Sequence, residues 1–278
     1  MSLGLPATTI LPAGGARLEC LATGTGTPVT VFAHGLAGDI TQTRPLGGAV
    51  AGTRVFFHTR GHGRSTAPGG AWGYRDLAAD LDTVAHRYRA TAALGVSLGA
   101  GALCRLLVDA PLRFSRLVFY LPAALDEPHP PAARDRYERL RAALAAAGGR
   151  PDERALAGVV AVLAADAPGT TQGPTTVGLA QRAAALLRYG LAAELAGVLD
   201  EAPVPRPDEL AAVDVPALVL AAHDDPVHPV EVAGRLAQAL PRAELHVYPR
   251  PAPLVTARAD LRGRISGFLA ATAGPPSR

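Results

Sequence analysis

The chain has 278 residues, of which 49% are hydrophobic and 18% charged, and its formal net charge at pH 7 is +3. This length is close to the upper limit of a single hydrophobic core, and the composition excludes a disordered or fibrous protein. The arginines are scattered along the chain, so the sequence gives little support for binding to nucleic acid or to an anionic membrane. We therefore expect one globular domain with room for an inserted subdomain.

Lysine and asparagine are absent from the sequence. Both have AT-rich codons, so their absence indicates a GC-rich, bacterial genome. The N-terminus lacks a basic region followed by an apolar run, and no apolar stretch is long enough for a membrane span. We therefore expect a cytoplasmic protein, with Cys20 and Cys104 as buried free thiols.

Strand-like and helix-like segments alternate along most of the chain, which is typical of βα units around a mostly parallel sheet. Eight strands are predicted, at about 7–11, 16–22, 28–33, 53–58, 91–96, 116–121, 215–222 and 243–248. Helices are predicted at 74–88, 98–110, 229–240 and about 257–271. The predicted fold class is α/β, with helices on both faces of the sheet.

The alternation stops between residues 122 and 208, where the sequence is helical throughout and is interrupted by Pro- and Gly-rich joints. A segment of this length without a strand exceeds what one crossover needs. We therefore predict a core formed by residues 1–121 and 209–278, with a helical cap inserted at 122–208. The alternative is a set of crossover helices that belong to the core.

The most specific local pattern is GVSLG at residues 95–99, which follows a predicted strand and precedes a predicted helix. A Gly-x-Ser-x-Gly in this setting is typical of a nucleophile elbow, a strained turn that exposes the serine Oγ above the sheet. The helix N-terminus that follows favours developing negative charge. Ser97 is therefore the predicted nucleophile.

A second pattern is VTVFAHGL at residues 29–36, a buried strand that ends in His-Gly. A loop of this kind can supply one backbone N–H of an oxyanion hole, and the residue after the nucleophile supplies the other. The predicted donors are the N–H groups of Leu36 and Leu98. Taken alone, the His-Gly pair indicates only a strand end, so this interpretation depends on the elbow.

Together these motifs resemble a capped α/β-hydrolase. Three more segments share the resemblance: GTGTP at 24–28, RGHGRS at 60–65 and HDDPVHP at 223–229. In that family a catalytic acid follows the late strand, which by the spacing to Pro229 implies Asp225, with Asp224 as the second choice. The alternative is that the two aspartates only shape the loop and cap the next helix.

The sequence departs from the family pattern where a histidine is expected after the last strand. Residues 251–254 occupy that position, and no histidine occurs from 247 to 278. A serine hydroxyl is a poor nucleophile without an adjacent base, so the triad is incomplete unless another histidine replaces the usual one. The preferred replacement is His228, three residues after Asp225 on the loop that faces the elbow in this fold; the alternative is that it faces solvent.

Three other histidines need a structure to be placed. His34 and His62 are expected near the pocket mouth, as pocket residues or as structural ones, and His129 lies in the predicted cap. No Cys/His cluster has zinc spacing, and the dinucleotide and Walker patterns are both absent, so we predict no metal and no cofactor.

The resemblance implies an enzyme that acts through Ser97 on a small hydrophobic ester, lactone or thioester, without a nucleic-acid or membrane partner. The sequence leaves the oligomeric state open. Two alternatives stay open because of the incomplete triad. One is a lyase, isomerase or cyclase of secondary-metabolite type that uses the pocket for proton transfer, and the other is a relative that binds a ligand without turnover.

Overall fold

A computed structural model describes residues 8–148, 152–165 and 174–271. Its strands form one sheet in the order β1-β2-β4-β3-β5-β6-β7-β8. Their bounds are β1 Thr9–Ala13, β2 Ala16–Thr23, β3 Val29–Ala33, β4 Thr53–Phe57, β5 Ala92–Val96, β6 Arg116–Tyr120, β7 Ala217–Ala222 and β8 Ala243–Tyr248. Strand β2 is antiparallel to both β1 and β4, and all other pairs are parallel. The predicted eight-stranded, mostly parallel sheet is confirmed.

The helices of the described ranges fall mainly between the strands, as the alternation predicts. Their bounds are α1 Ile40–Thr43, α2 Tyr74–Arg87, α3 Leu98–Asp109, α4 Pro131–Ala147, α5 Glu153–Ala165, α6 Pro174–Tyr189, α7 Leu195–Leu199, α8 Val230–Ala239, α9 Pro253–Thr256 and α10 Arg258–Ala270, with a 3₁₀ helix at Pro207–Ala212. Each strand, and each helix predicted from periodicity, begins and ends within two residues of its predicted bounds. Residue 7, where the first predicted strand begins, lies outside the described residues.

Alternating side chains of the buried strands point to opposite faces of the sheet, and each face has its own core. On one face, Val31 and Phe119 belong to a buried cluster with Leu103 of α3 and Leu236 of α8. The other face has a second cluster, in which Phe32 and Val118 are joined by Ile40 of α1 and Ile265 of α10. The helices therefore cover both faces, as predicted.

Helices α4 to α7 all lie between β6 and β7 in the chain. Leu140, Val159, Leu163 and Leu186 from three of these helices form a separate apolar cluster that includes Ala37 of the loop after β3. This segment therefore packs on a loop at the carboxyl end of the sheet. The bounds 122–208 of a cap remain a prediction, and residues 149–151 and 166–173 within them lie outside the described ranges.

Cys20 and Cys104 are buried free thiols. In the part of the chain that the structure describes, the helices are too short or too polar to cross a lipid bilayer.

Candidate active site

Ser97 lies between the last residue of β5 and the first residue of α3, with φ +52° and ψ −111°. Positive φ is strained for a residue with a side chain, and this strain is typical of a nucleophile elbow. A Cβ on Gly95 would lie 2.5 Å from the Gly99 carbonyl oxygen, and one on Gly99 would lie 2.5 Å from the Ala33 oxygen. The turn therefore requires both glycines of the GVSLG pattern.

His228 lies within hydrogen-bond distance of the elbow. Its Nε2 is 3.0 Å from Ser97 Oγ, and its Nδ1 is 2.8 Å from Asp225 Oδ2. The other oxygen of Asp225 accepts the backbone N–H groups of Val227 and His228, at 3.1 and 3.2 Å. The structure thus brings together the three side chains that the sequence singled out, in the order Asp225, His228, Ser97.

The partners of the ring fix its tautomer. An ionised carboxylate can only accept hydrogen bonds, so Nδ1 of His228 carries the proton and Nε2 is left to accept the Ser97 O–H. Burial raises the pKa of Asp225, but the hydrogen bonds from His228 and the loop backbone outweigh it, and the net pKa is below the ordinary value. The carboxylate therefore stays ionised near neutral pH.

Asp224, the second choice for the acid, is exposed and has φ +59°. Within the described residues it makes no hydrogen bond or ion pair with His228, which is paired with Asp225. Asp224 thus shapes the turn after β7 and takes no part in the cluster around Ser97.

The loop after β8, where the family pattern would set a histidine, presents apolar groups to the same space. Ala252 and Leu254 line the cavity beside Ser97, and the Leu254 N–H donates to Tyr120 Oη at 3.2 Å. This loop therefore contributes wall but no base.

The two predicted oxyanion donors, the N–H groups of Leu36 and Leu98, differ in their surroundings. Leu98 is the first residue of α3, so its N–H has no carbonyl one turn earlier in the helix to bind. The Leu36 N–H donates no hydrogen bond to any described residue, and Leu36 lines the cavity with Ser97. Neither N–H is bonded to another group of the described residues; Leu36 is one of the cavity-lining residues, and Leu98 is not.

Neighbouring contacts hold the loop that carries Leu36. The Gly35 N–H donates to Gln42 Oε1 at 3.0 Å, and the Ala37 N–H donates to His62 Nε2 at 3.0 Å. Arg182 of α6 donates to the carbonyl oxygens of Leu36 and Ala37, at 3.2 and 2.5 Å. The loop is thus fixed from the core side and from α6.

His34 and His62 are buried beneath this loop, and the structure does not place either of them in the cavity wall. His34 Nε2 accepts the Thr59 N–H at 3.0 Å, and its Nδ1 donates to the Gly35 carbonyl oxygen at 2.8 Å. Burial lowers the pKa of His62 to about 4 and that of His34 well below its ordinary value. Both rings are therefore neutral hydrogen-bonding groups that support the loop.

A cavity of about 220 Å³ opens beside Ser97 and His228. Most of its wall is apolar, from Leu36, Val96, Leu121, Val227, Leu254 and Val255. Its polar groups include Gln42, Tyr120, His129, Arg136 and Arg182. The sequence leaves the position of His129 open, because nothing in the chain order connects it to the elbow; the structure places it in the cavity wall with Ser97. Within the described ranges, no group of three or more His, Cys, Asp or Glu side chains is arranged to hold a metal ion.

Comparisons with known proteins agree with this architecture. A family model described as alpha/beta hydrolase fold matches residues 28–253. A search of curated proteins gives no match.

Among solved structures, the chain is similar to an esterase from Exiguobacterium antarcticum, with 19% identity, a TM-score of 0.73, and 95% of this chain and 100% of that one covered. An enol-lactonase from Burkholderia xenovorans has 19% identity and a TM-score of 0.75, with 95% and 100% covered. A thermophilic esterase from Thermogutta terrifontis has 20% identity and a TM-score of 0.71, with 95% and 98% covered. Likeness at these identities shows a shared fold.

Proposed function

The chain belongs to the α/β-hydrolase fold family, and we propose that it is a serine hydrolase that cleaves the ester, lactone or thioester bond of a small hydrophobic molecule. The observation that carries the proposal is the contact of His228 Nε2 with Ser97 Oγ at 3.0 Å, with Asp225 on the other ring nitrogen at 2.8 Å. A base in this position supplies what a serine needs to become a nucleophile near neutral pH.

In the first half of the reaction, Ser97 Oγ attacks the carbonyl carbon while His228 Nε2 takes its proton. The protonated imidazole is stabilised by the Asp225 carboxylate, and the N–H groups of Leu36 and Leu98 stabilise the negative oxygen. His228 then gives the proton to the leaving oxygen or sulfur, and the acyl group stays on Ser97.

In the second half, water attacks the acyl-enzyme. His228 takes a proton from the water and returns it to Ser97 Oγ as the carboxylic acid leaves. The balance is one water consumed and one acid released, together with an alcohol or thiol; for a lactone, the released hydroxyl stays on the same molecule. No cofactor enters these steps.

The size and polarity of the cavity support a small substrate. A volume of about 220 Å³ is below the usual range for drug-sized ligands, roughly 300–1,000 Å³. The mostly apolar wall favours a substrate that is largely hydrocarbon. We further propose that helices α4 to α7 act as a cap, since Ala133 and Leu179 contribute to this wall from above the sheet.

The proposal is tested with a fluorophosphonate probe, which forms a covalent bond with an activated serine. The folded protein should gain one label, detected as a mass increase of the intact chain, and Ser97→Ala should abolish it. Ser115→Ala is the matched control, because this exposed serine lies on the loop before β6 and its loss should leave the label in place.

Two results would contradict the proposal. One is an unlabelled but folded wild-type protein. The other is turnover that survives Ser97→Ala, which would favour a lyase, isomerase or cyclase. If the label is specific to Ser97, assays with p-nitrophenyl butanoate, a γ-lactone and an acyl thioester would rank the three bond types as substrates.

A further inference from the structure

His129 stands out among the polar groups of the cavity because the proposed reaction does not use it. It precedes α4, and its backbone N–H donates to the Leu199 carbonyl oxygen at 3.1 Å. Its Nε2 lies 2.5 Å from Tyr74 Oη, and the two rings are nearly parallel, at 5°. The ring is therefore held both by its backbone and by its side chain.

Tyr74 is itself fixed in place. It is the first residue of α2, and its N–H donates to Glu201 Oε2 at 3.0 Å. The ring packs on Gly101 of α3, where a Cβ would lie 2.5 Å from Tyr74 Cε1. Because Gly101 is one turn after Ser97, the helix that begins at the elbow also sets the position of the tyrosine that holds His129.

The Tyr74 contact determines which nitrogen of His129 carries the proton. Burial raises the pKa of Tyr74 well above its ordinary value, so its hydroxyl stays protonated. Because this hydroxyl has no other partner among the described residues, we infer that it donates its proton to His129 Nε2, which leaves fewer polar groups unpaired than the reverse direction. Burial, with a smaller contribution from His228, lowers the pKa of His129 to about 3. The ring is therefore neutral, with its single proton on Nδ1.

Nδ1 of His129 makes no hydrogen bond to any described residue. The ring forms part of the wall of the cavity that contains Ser97 and His228. His129 is half-buried and its Nδ1 is not among the fully enclosed atoms without a partner, so the group can bind water or a ligand oxygen in the cavity. A fixed donor in this position is suited to an uncharged oxygen.

We propose that His129 is a substrate-binding residue whose Nδ1–H donates a hydrogen bond to an ether, carbonyl or amide oxygen of the substrate, close to the scissile bond. The substrate class is then a small ester, lactone or thioester that carries a second oxygen acceptor, in preference to a plain hydrocarbon ester. The identity of the scissile bond rests on the proposed function, but the binding of the second oxygen does not.

The test uses two matched pairs of esters, each with one methylene replaced by oxygen. p-Nitrophenyl methoxyacetate is paired with p-nitrophenyl butanoate, which probes the acyl side, and 2-methoxyethyl butanoate is paired with butyl butanoate, which probes the alcohol side. The measured quantity is kcat/KM for the oxygen-containing ester divided by kcat/KM for its hydrocarbon partner. For at least one pair, His129→Phe should lower this ratio about tenfold, as expected for one lost hydrogen bond. His129→Asn, whose amide can place an N–H near the position of Nδ1, should restore most of the ratio.

A second readout does not depend on turnover. In the Ser97→Ala protein, titrations followed by NMR should show tighter binding of the oxygen-containing member of a pair, and a further His129→Phe change should remove that preference. A preference retained in this double variant, or an equal loss of affinity for both members, would overturn the inference. If the wild-type protein neither reacts with fluorophosphonate nor hydrolyses any ester, the proposed function fails, and these titrations still decide the role of His129.

Discussion

Two loops at the carboxyl edge of the sheet present different groups to Ser97. The loop after β7 carries Asp225 and also His228, three residues later; the His228 ring contacts Ser97, and Asp225 contacts the other nitrogen of that ring. The loop after β8, where a histidine is expected, carries Ala252 and Leu254 as cavity wall. The ring nitrogen within hydrogen-bond distance of Ser97 therefore comes from the loop after β7, and under the proposed function this loop supplies the proton acceptor.

The position of both side chains on one loop has a physical consequence for the site. Asp225 contacts both the His228 ring and the backbone N–H groups of Val227 and His228, so the proposed acid and the proposed base lie on one short loop. With acid and base on separate loops, each loop must be positioned independently. The loop after β8 is then free to contribute apolar surface to the cavity.

The largest effect should come from His228→Ala. Without a base, Ser97 is a weak nucleophile, and kcat/KM for an activated ester should fall by about 10⁵-fold. The remaining rate enhancement would come from the proposed oxyanion donors and from substrate binding. His223→Ala is the matched control, because His223 is exposed on the same loop, and its kcat/KM should stay within about threefold of wild type. Similar losses in both variants would mean that the loop matters only as a scaffold.

Asp225→Asn should have the next largest effect. An amide can donate to Nδ1 and so favour the wrong tautomer of His228, and kcat/KM should fall by about 10³- to 10⁴-fold. Asp224→Asn is the control, since asparagine tolerates the positive φ at this exposed position. If Asp224→Asn were the more damaging change, the assignment of the acid would be wrong.

His34 and His62, which are buried beneath the loop after β3, should affect stability and its pH dependence. The pKa of His62 is about 4 in the folded protein, below the ordinary value of 6.5, so the unfolded chain binds a proton first as the pH falls. Stability contributed by the neutral ring is full above pH 6.5 and is lost towards pH 4, at about 1.4 kcal/mol per pH unit.

This prediction is checked by urea unfolding at pH 7, 6 and 5, where most carboxylates remain ionised. In the wild type, the free energy of unfolding should fall as the pH is lowered. In His62→Gln, the slope of this free energy against pH should be smaller by an amount that corresponds to nearly one bound proton. An unchanged slope would show that His62 does not differ in protonation between the two states. His34 should contribute in the same direction, because its pKa is also lowered by burial.

The smallest effect concerns the backbone of the loop after β8. Ala252 has φ +52°, in the left-handed region that favours glycine. Ala252→Gly should raise the free energy of unfolding by about 0.5–1 kcal/mol. Ala257→Gly, at φ −142°, should lower it instead, and a loss of stability in both variants would contradict the strain at Ala252.

Most of the fold could be predicted from the sequence, because strand and helix periodicity in this chain agrees with its tertiary packing. The elbow could also be predicted from the sequence. Any Cβ at Gly95 or Gly99 would collide with nearby backbone, so this turn requires the Gly-x-Ser-x-Gly pattern. The contact between His228 and Ser97 could be suggested only from the family resemblance. The two residues are 131 positions apart, and their distance depends on the packing of β5 against β6 and β7.

The position of His129 in the cavity wall has no signal in the sequence. Its contact with Tyr74 joins the segment before α4 to the start of α2, and no spacing rule connects them. The positions of His34 and His62 beneath the loop after β3 also follow from burial, which the His-Gly and RGHGRS motifs do not specify. Long-range contacts of this kind require coordinates.

The most direct test of the central claim is the rate at which a fluorophosphonate modifies Ser97 with and without the His228 imidazole. Wild type should react at least about 10³-fold faster than folded His228→Ala, and free imidazole added to the variant should recover part of the rate, because it can occupy the vacated space and accept the Ser97 proton. A His228→Ala protein that reacts within tenfold of wild type would show that this histidine does not activate the serine.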